Sequence, residues 1–123
     1  MENSVFVNKL IKGTKDGKMK WQLAKPDPLY DDHQPYFLQK GDKKLVLEKY
    51  DTTGYDGFGD EVVHTNCVIS ICDNENRTLG QIYEDDLPKS SDLMRLYRLA
   101  ERQVNNVDLI MEDFVAGVGG IEF

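Results

Sequence analysis

The fold of this chain is decided by residues 62–72, VVHTNCVISIC, in which more apolar and more polar side chains alternate. Because successive side chains of a β-strand point to opposite faces, this alternation predicts a long, half-buried strand. Its odd-numbered residues form the more apolar face. Residues 73–76, DNEN, supply turn chemistry, and residues 79–83 return as the second arm of a hairpin.

Further strands are predicted on the N-terminal side of this hairpin. Residues 18–23, KMKWQL, alternate with period two and predict a short strand that carries Trp21. Residues 36–38 and 44–50 flank the turn at 41–43, which is typical of a second hairpin. Residues 24–35, with three prolines and three aspartates, predict a loop.

A helix is predicted at each end of the chain. In the first, apolar residues recur at three- and four-residue spacings from Phe6 to Thr14, and Gly17 is placed to end it. The second has the clearest stripe in the chain: Leu93, Tyr97, Ala100, Val104, Val107, Met111 and Phe114. At about 25 residues it would be roughly 37 Å long, which exceeds the width of a small sheet.

Three alternatives for this long helix stay open in the sequence. It crosses the sheet diagonally, it breaks near Asn105-Asn106, or its far end packs on another chain. In the last case Val107, Met111 and Phe114 would form a self-association surface and the protein would be a homodimer through its C-terminal helix.

Together these elements predict one α+β domain over residues 1–123. Consecutive strands usually pair with each other, so we expect an antiparallel meander of about five strands. A short N-terminal helix and a long C-terminal helix complete it, and one or both should cover one face of the sheet.

Charge is distributed unevenly along the chain. The net charge is −7, but residues 1–50 carry ten lysines against seven acids, whereas residues 51–123 carry fifteen acids against five basic residues. A strongly acidic half repels phosphate backbones, which disfavours direct nucleic-acid binding. It would attract a basic protein partner.

Composition also indicates the compartment. The longest apolar runs fall far short of the roughly 20 residues that a membrane-spanning helix needs, so no membrane association is predicted. The opening residues 1–4 lack the basic and apolar regions of a secretory signal. Cys67 and Cys72 are five apart on one predicted strand, where a disulfide would be poor in geometry. We therefore expect a soluble, cytoplasmic protein.

Residues 51–60, DTTGYDGFGD, predict a flexible loop, and the segment 51–61 is the main candidate for partner contact. Three glycines let the backbone bend, and exposed aromatic residues on loops commonly grip a partner. The candidate partner-binding residues are Tyr55, Asp56, Phe58, Asp60 and Glu61. Alternatively, one or both rings fold onto the core. The spacing of the acids does not match the helix-loop-helix calcium pattern.

A second candidate site is basic. Arg95, Arg98 and Arg102 are spaced i, i+3 and i+7, so on a helix they share one flank and could hold an anion. The alternative is a solvated helix face with local ion pairs.

No catalytic, metal or cofactor motif stands out. His64 and Cys67 are three apart on a predicted strand, so they point to opposite faces and cannot easily share one ion. The glycines at 54, 57 and 59 lack the following Lys-Ser/Thr and helix of a phosphate-binding loop. We therefore expect neither a metal, nor a cofactor, nor an enzymatic activity.

The stretch from Leu10 to Trp21, LIKGTKDGKMKW, resembles the start of small uncharacterised bacterial proteins. In those, a short helix ending in a Thr-x-x-Gly-Lys pattern leads into a Trp-bearing strand. The resemblance implies a bacterial origin, with later hairpins and a closing helix, but no activity.

The sequence thus predicts a non-enzymatic protein-interaction or regulatory module, of an inhibitor or immunity-like kind. The alternative is a small domain that binds an anionic ligand between the sheet and the 51–61 segment, held by the arginines. An enzyme of unknown type ranks third.

Overall fold

The computed structural model describes residues 1–25 and 33–117. Its helices are α1 (Asn3–Lys15), α2 (Ser91–Val104) and α3 (Val107–Gly117), and its strands are β1 (Gln22–Leu23), β2 (Tyr36–Lys40), β3 (Lys43–Tyr55), β4 (Glu61–Asp73) and β5 (Thr78–Tyr83). The predicted loop at 24–35 falls for its greater part, residues 26–32, outside the described residues, as does the tail after Gly117.

The five strands form one antiparallel sheet in the order β1-β2-β3-β4-β5, which confirms the predicted meander. β2 and β3 are joined by a two-residue turn at Gly41-Asp42, and Gly41 has φ 62°, a conformation that favours glycine. β1 is shorter than the alternation predicts, and Leu23 is exposed at its end. The sheet is therefore dominated by the long β3–β4 pair.

One face of the sheet is covered by α1 and α2. Outside residues 51–66, the odd-numbered residues of β3 and β4 face this side, and Leu47, Cys67 and Ile69 are fully buried in one core with the apolar stripes of α1 and α2. At about 25 cal/mol per Å² of apolar surface removed from water, these contacts are the main source of stability.

Hydrogen bonds join α1 and α2 to residues 16–21, the segment that connects α1 to β1. The indole N–H of Trp21 donates to Thr14 Oγ1 (2.9 Å), and that hydroxyl donates to the carbonyl of Leu10 (2.7 Å). The side chain of Gln103 accepts from the N–H of Trp21 (2.7 Å) and donates to the carbonyl of Met19 (2.7 Å). The polar groups of this segment are thus satisfied inside the core.

The predicted long C-terminal helix is two helices. It breaks at Asn105-Asn106, where Asn106 adopts φ 52°. Asn tolerates the left-handed region better than most residues, and the carbonyl of Asn106 accepts the N–H of Ile110 as α3 begins (3.0 Å). The break turns the apolar stripe of α3 away from the sheet, which is the second of the three alternatives. No helix among the described residues is both long and apolar enough to span a membrane.

Candidate protein interface

The predicted loop at 51–60 is a turn only over residues 56–60; for residues 51–55, which belong to β3, the prediction is wrong. β3 continues to Tyr55 and β4 begins at Glu61, with an unbroken register from Lys49↔Cys67 to Tyr55↔Glu61. This stretch is polar and contains a glycine, and it joins the sheet because it pairs with β4. We call residues 51–66 the arm.

The arm extends beyond the rest of the sheet as a two-stranded ribbon. β2 pairs with β3 only as far as Leu47, and β5 pairs with β4 only from Val68 onward. The six residue-to-residue steps from Lys49 to Tyr55 add about 20 Å at 3.4 Å per step. Every residue of the arm is exposed or half-buried, so the arm adds nothing to the buried core.

The turn at the end of the arm, residues 56–60, is ordered by one carboxylate. Asp56 Oδ1 accepts the N–H of Phe58 (2.8 Å) and the N–H of Asp60 (3.0 Å). The N–H of Asp56 also donates to the carbonyl of Asp60 (2.9 Å), and Gly59 provides the required φ of 81°. The backbone that carries Phe58 is therefore fixed by the turn.

The five residues predicted to contact a partner are brought together at this end of the arm, and we call them the tip: Tyr55, Asp56, Phe58, Asp60 and Glu61. Phe58 is 92% exposed and Tyr55 is 78% exposed, so neither ring folds onto the core. The arm as a whole carries four acids and no Lys or Arg. The arm therefore presents two exposed aromatic rings among negatively charged side chains.

The base of the arm is attached to the body by polar contacts. Asp51 accepts from Thr65 Oγ1 (2.8 Å) and lies 3.0 Å from His33 Nε2. The hydrogen bond from Thr65 and the contact with His33 lower the pKa of Asp51. Lys49 Nζ stands 4.2 Å from the centre of the Tyr97 ring, a cation–π contact that ties β3 to α2.

Next to the base of the arm, a side chain accepts a backbone hydrogen bond at the edge of β4. The N–H of Cys67 donates to Glu84 Oε1 (2.8 Å), where β5 no longer provides a carbonyl. Burial, together with the nearby charge of Glu84, raises the pKa of the Cys67 thiol to about 12. This thiol stays protonated at neutral pH and is a poor nucleophile. Sequence patterns do not reveal this role of Glu84, which depends on where β5 ends.

The arginine cluster lies elsewhere. Arg95, Arg98 and Arg102 line a shallow cavity of about 600 Å³ along α2, with Ser91, Met94 and Leu99. None of its lining residues comes from the 51–61 segment, so the structure does not bring the two predicted sites together. Arg102 forms an ion pair with Asp108 of α3 (2.6 Å), so Arg102 is less available to an external anion.

The predicted self-association residues lie on α3. Val107 is half-buried near the helix break, whereas Met111 and Phe114 are 53% and 72% exposed. Ile110 and Val115 are exposed beside them, and α3 packs chiefly on α2. An apolar stripe along this helix is therefore uncovered by the described part of the chain.

His64 and Cys67 are not placed to share a metal ion. His64 and Cys67 lie on opposite faces of β4, since cross-strand neighbours and alternation place them so. Within residues 1–25 and 33–117, no three His, Cys, Asp or Glu side chains are grouped as metal ligands. Cys67 and Cys72 are both free thiols.

Comparison of the chain with protein-family models, with curated proteins and with solved structures gives no match. The resemblance of residues 10–21 to small bacterial proteins therefore stays a prediction.

Proposed function

We propose that the protein is a non-enzymatic, cytoplasmic interaction module whose arm inserts its tip into a basic surface of another protein. The observation that carries the proposal is the exposure of Phe58 and Tyr55 on a turn whose backbone is fixed by Asp56. Aromatic side chains of this kind are the residues most often responsible for binding energy at protein interfaces.

The charge of the arm indicates the partner. Four acids without a compensating Lys or Arg favour a basic surface, and the two rings need an apolar pocket within it. An inhibitory, immunity-like or regulatory role would follow directly, because a projecting acidic arm can cover a basic functional surface of its target.

The fixed turn also supports the proposal energetically. A loop that orders only on binding loses conformational entropy at that moment, roughly 0.5–1.5 kcal/mol for each immobilised side chain. Here the Asp56 carboxylate already holds the backbone of Phe58 and Asp60 in place. Binding would therefore cost little reorganisation.

The test compares partners captured by the wild type with those captured by Phe58→Ser and Tyr55→Ser. Leu79→Ser is the matched control, since Leu79 is exposed on β5 and outside the arm. We expect a protein that the wild type and the control retain and that both tip variants lose. With that protein purified, affinity should fall at least tenfold for Phe58→Ser and should weaken as salt rises. Equal binding by all four chains would refute the role of the tip.

A further inference from the structure

At the end of the molecule opposite the tip, the core opens into a cavity of about 530 Å³. It lies between α1 and the β2–β3 hairpin, and β3 runs about 40 Å from this opening to the tip. The floor is apolar and is made by Phe6, Leu10, Met19, Leu38 and Leu45. Four of these five are only partly buried on the edge of the core, so the cavity continues the core toward solvent. We call it the lysine cleft.

The rim of the lysine cleft is positive. Five of the eleven lysines of the chain line it, at 18, 20, 40, 43 and 44, and no described acidic residue does. Lys43 pairs with Asp42 (2.9 Å), and Lys44 reaches toward Asn76 and the Phe37 ring. Within residues 1–25 and 33–117, the other three rim lysines form no ion pair.

The backbone that carries Lys18 and Lys20 is held in place. Gly17, at φ 72°, ends α1 with the N–H of Lys18 bonded back to the carbonyl of Gly13 (2.9 Å). A Cβ at Gly13 would approach the Met19 side chain to 2.9 Å, so Met19 packs directly on the backbone of α1 and would have to shift if Gly13 carried a side chain. On the other side Gln103 fixes the carbonyl of Met19. The rim is therefore formed before any ligand arrives.

An apolar cavity of this size, with a few polar groups at its mouth, is the usual form of a small-molecule site. Cationic side chains without local acids favour an anionic group, and the floor favours a body that has no hydrogen-bonding groups. We propose that the lysine cleft binds a small amphipathic anion, with an aliphatic or aromatic body on the floor and a single carboxylate or phosphate head at Lys18 and Lys20. This site is separate from the tip and does not depend on the proposed function.

Dodecanoate and dodecyl phosphate, below their micellar concentrations, are the probes, and dodecanol is the uncharged counterpart. Binding would be followed by calorimetry and by amide chemical shifts. We expect either anion to bind, with shifts confined to residues 6–10, 18–22 and 38–45, and dodecanol to bind at least tenfold more weakly. The two anions distinguish a carboxylate from a phosphate head.

The variant K18Q/K20Q should weaken binding of the anion about tenfold or more. The control K9Q/K12Q removes the same charge from exposed positions of α1 outside the cleft and should change affinity less than twofold. Failure of both anions to bind, shifts that map to another surface, or equal affinity in both double variants would overturn the proposal. So would cleft shifts that appear on concentrating the free protein and vanish in Phe58→Ser, because the cleft would then hold the tip of a second copy.

Discussion

At the scale of single residues, Gln103 links α2 to the segment between α1 and β1. Its amide accepts from Trp21 and donates to Met19, and Trp21 is buried. Truncating this side chain leaves two backbone groups without protein partners. Such groups cost about 1–3 kcal/mol each when water cannot replace the lost bond.

Gln103→Ala should therefore lower the free energy of unfolding by at least roughly 1–3 kcal/mol, the cost of one such group, measured by urea denaturation. Glu101→Ala, at an exposed position of the same helix, is the control and should change it by less than about 0.5 kcal/mol. Equal effects of the two substitutions would show that the hydrogen bonds of Gln103 do not stabilise the fold.

Asp73 orders the β4–β5 turn in the same way that Asp56 orders the tip. Its carboxylate accepts the N–H of Arg77 (2.9 Å), the N–H of Glu75 (2.9 Å) and the Arg77 Nε–H (2.8 Å). The backbone hydrogen bond from Arg77, opposed by burial, heads the contacts that lower the pKa of Asp73. A lowered pKa in the folded state stabilises the protein above the unfolded value of about 3.9, and this contribution is lost as pH falls through the folded pKa.

The wild type should therefore be more stable than Asp73→Asn at about pH 7, and the difference should shrink as pH falls from about 4 toward 3. Urea denaturation at several pH values measures it. Asp113→Asn, at an exposed position of α3, is the control. A difference that is as large at about pH 3 as at neutral pH would contradict this account of the turn.

At the scale of elements, α3 is a helix with no fully buried residue among residues 107–116. Val107, Ile110, Met111 and Phe114 recur at three- and four-residue spacings on one side of the helix. In a short helix, packing of such a stripe normally supplies most of the stability. The exposed apolar stripe of α3 therefore favours association with another chain.

We expect the wild type to form a dimer through α3, with a mass in light scattering that rises with concentration. Met111→Glu and Phe114→Glu should shift the species toward monomer, because each places a charge in the apolar contact. Leu79→Glu makes the same kind of change at an exposed position of β5 and should leave the mass unaltered. A wild-type mass of one chain at every concentration would rule out this dimer.

At the scale of the whole molecule, the arm is structurally distinct from the body. The core contains no residue between 50 and 66, and the β3–β4 pair runs without a break from the body into the arm. Tyr50 and Asn66 face each other across that pair, so a two-residue Asn-Gly turn can replace residues 51–65.

The arm-deleted protein should fold with a melting temperature within a few degrees of the wild type, since a change of 1 kcal/mol corresponds to roughly 2–8 °C for domains of this range of sizes. It should lose any partner that depends on Phe58 and keep binding at the lysine cleft. Thermal denaturation and the capture experiment check both expectations. An unfolded product would mean that the arm contributes to the fold as well as to binding.

Local sequence patterns were sufficient to predict the order of the elements and the apolar stripe of α2. Alternation over residues 62–72 and the helical stripe from Leu93 to Val104 are local patterns, and the structure confirms the sheet and the helices that they predict. Turn residues such as Gly17 and Gly41 also act locally, because the left-handed conformation is a property of the residue itself.

Only the tertiary structure decided where the strands end and which side chains meet. Residues 51–55, which include an aspartate and a glycine, form a strand because residues 61–65 of β4 pair with them across the ribbon. Lys18 and Lys40 are brought to one cleft by the packing of α1 beside the β2–β3 hairpin. Local patterns encode burial and turns, whereas pairing and packing depend on partners that a single segment does not contain.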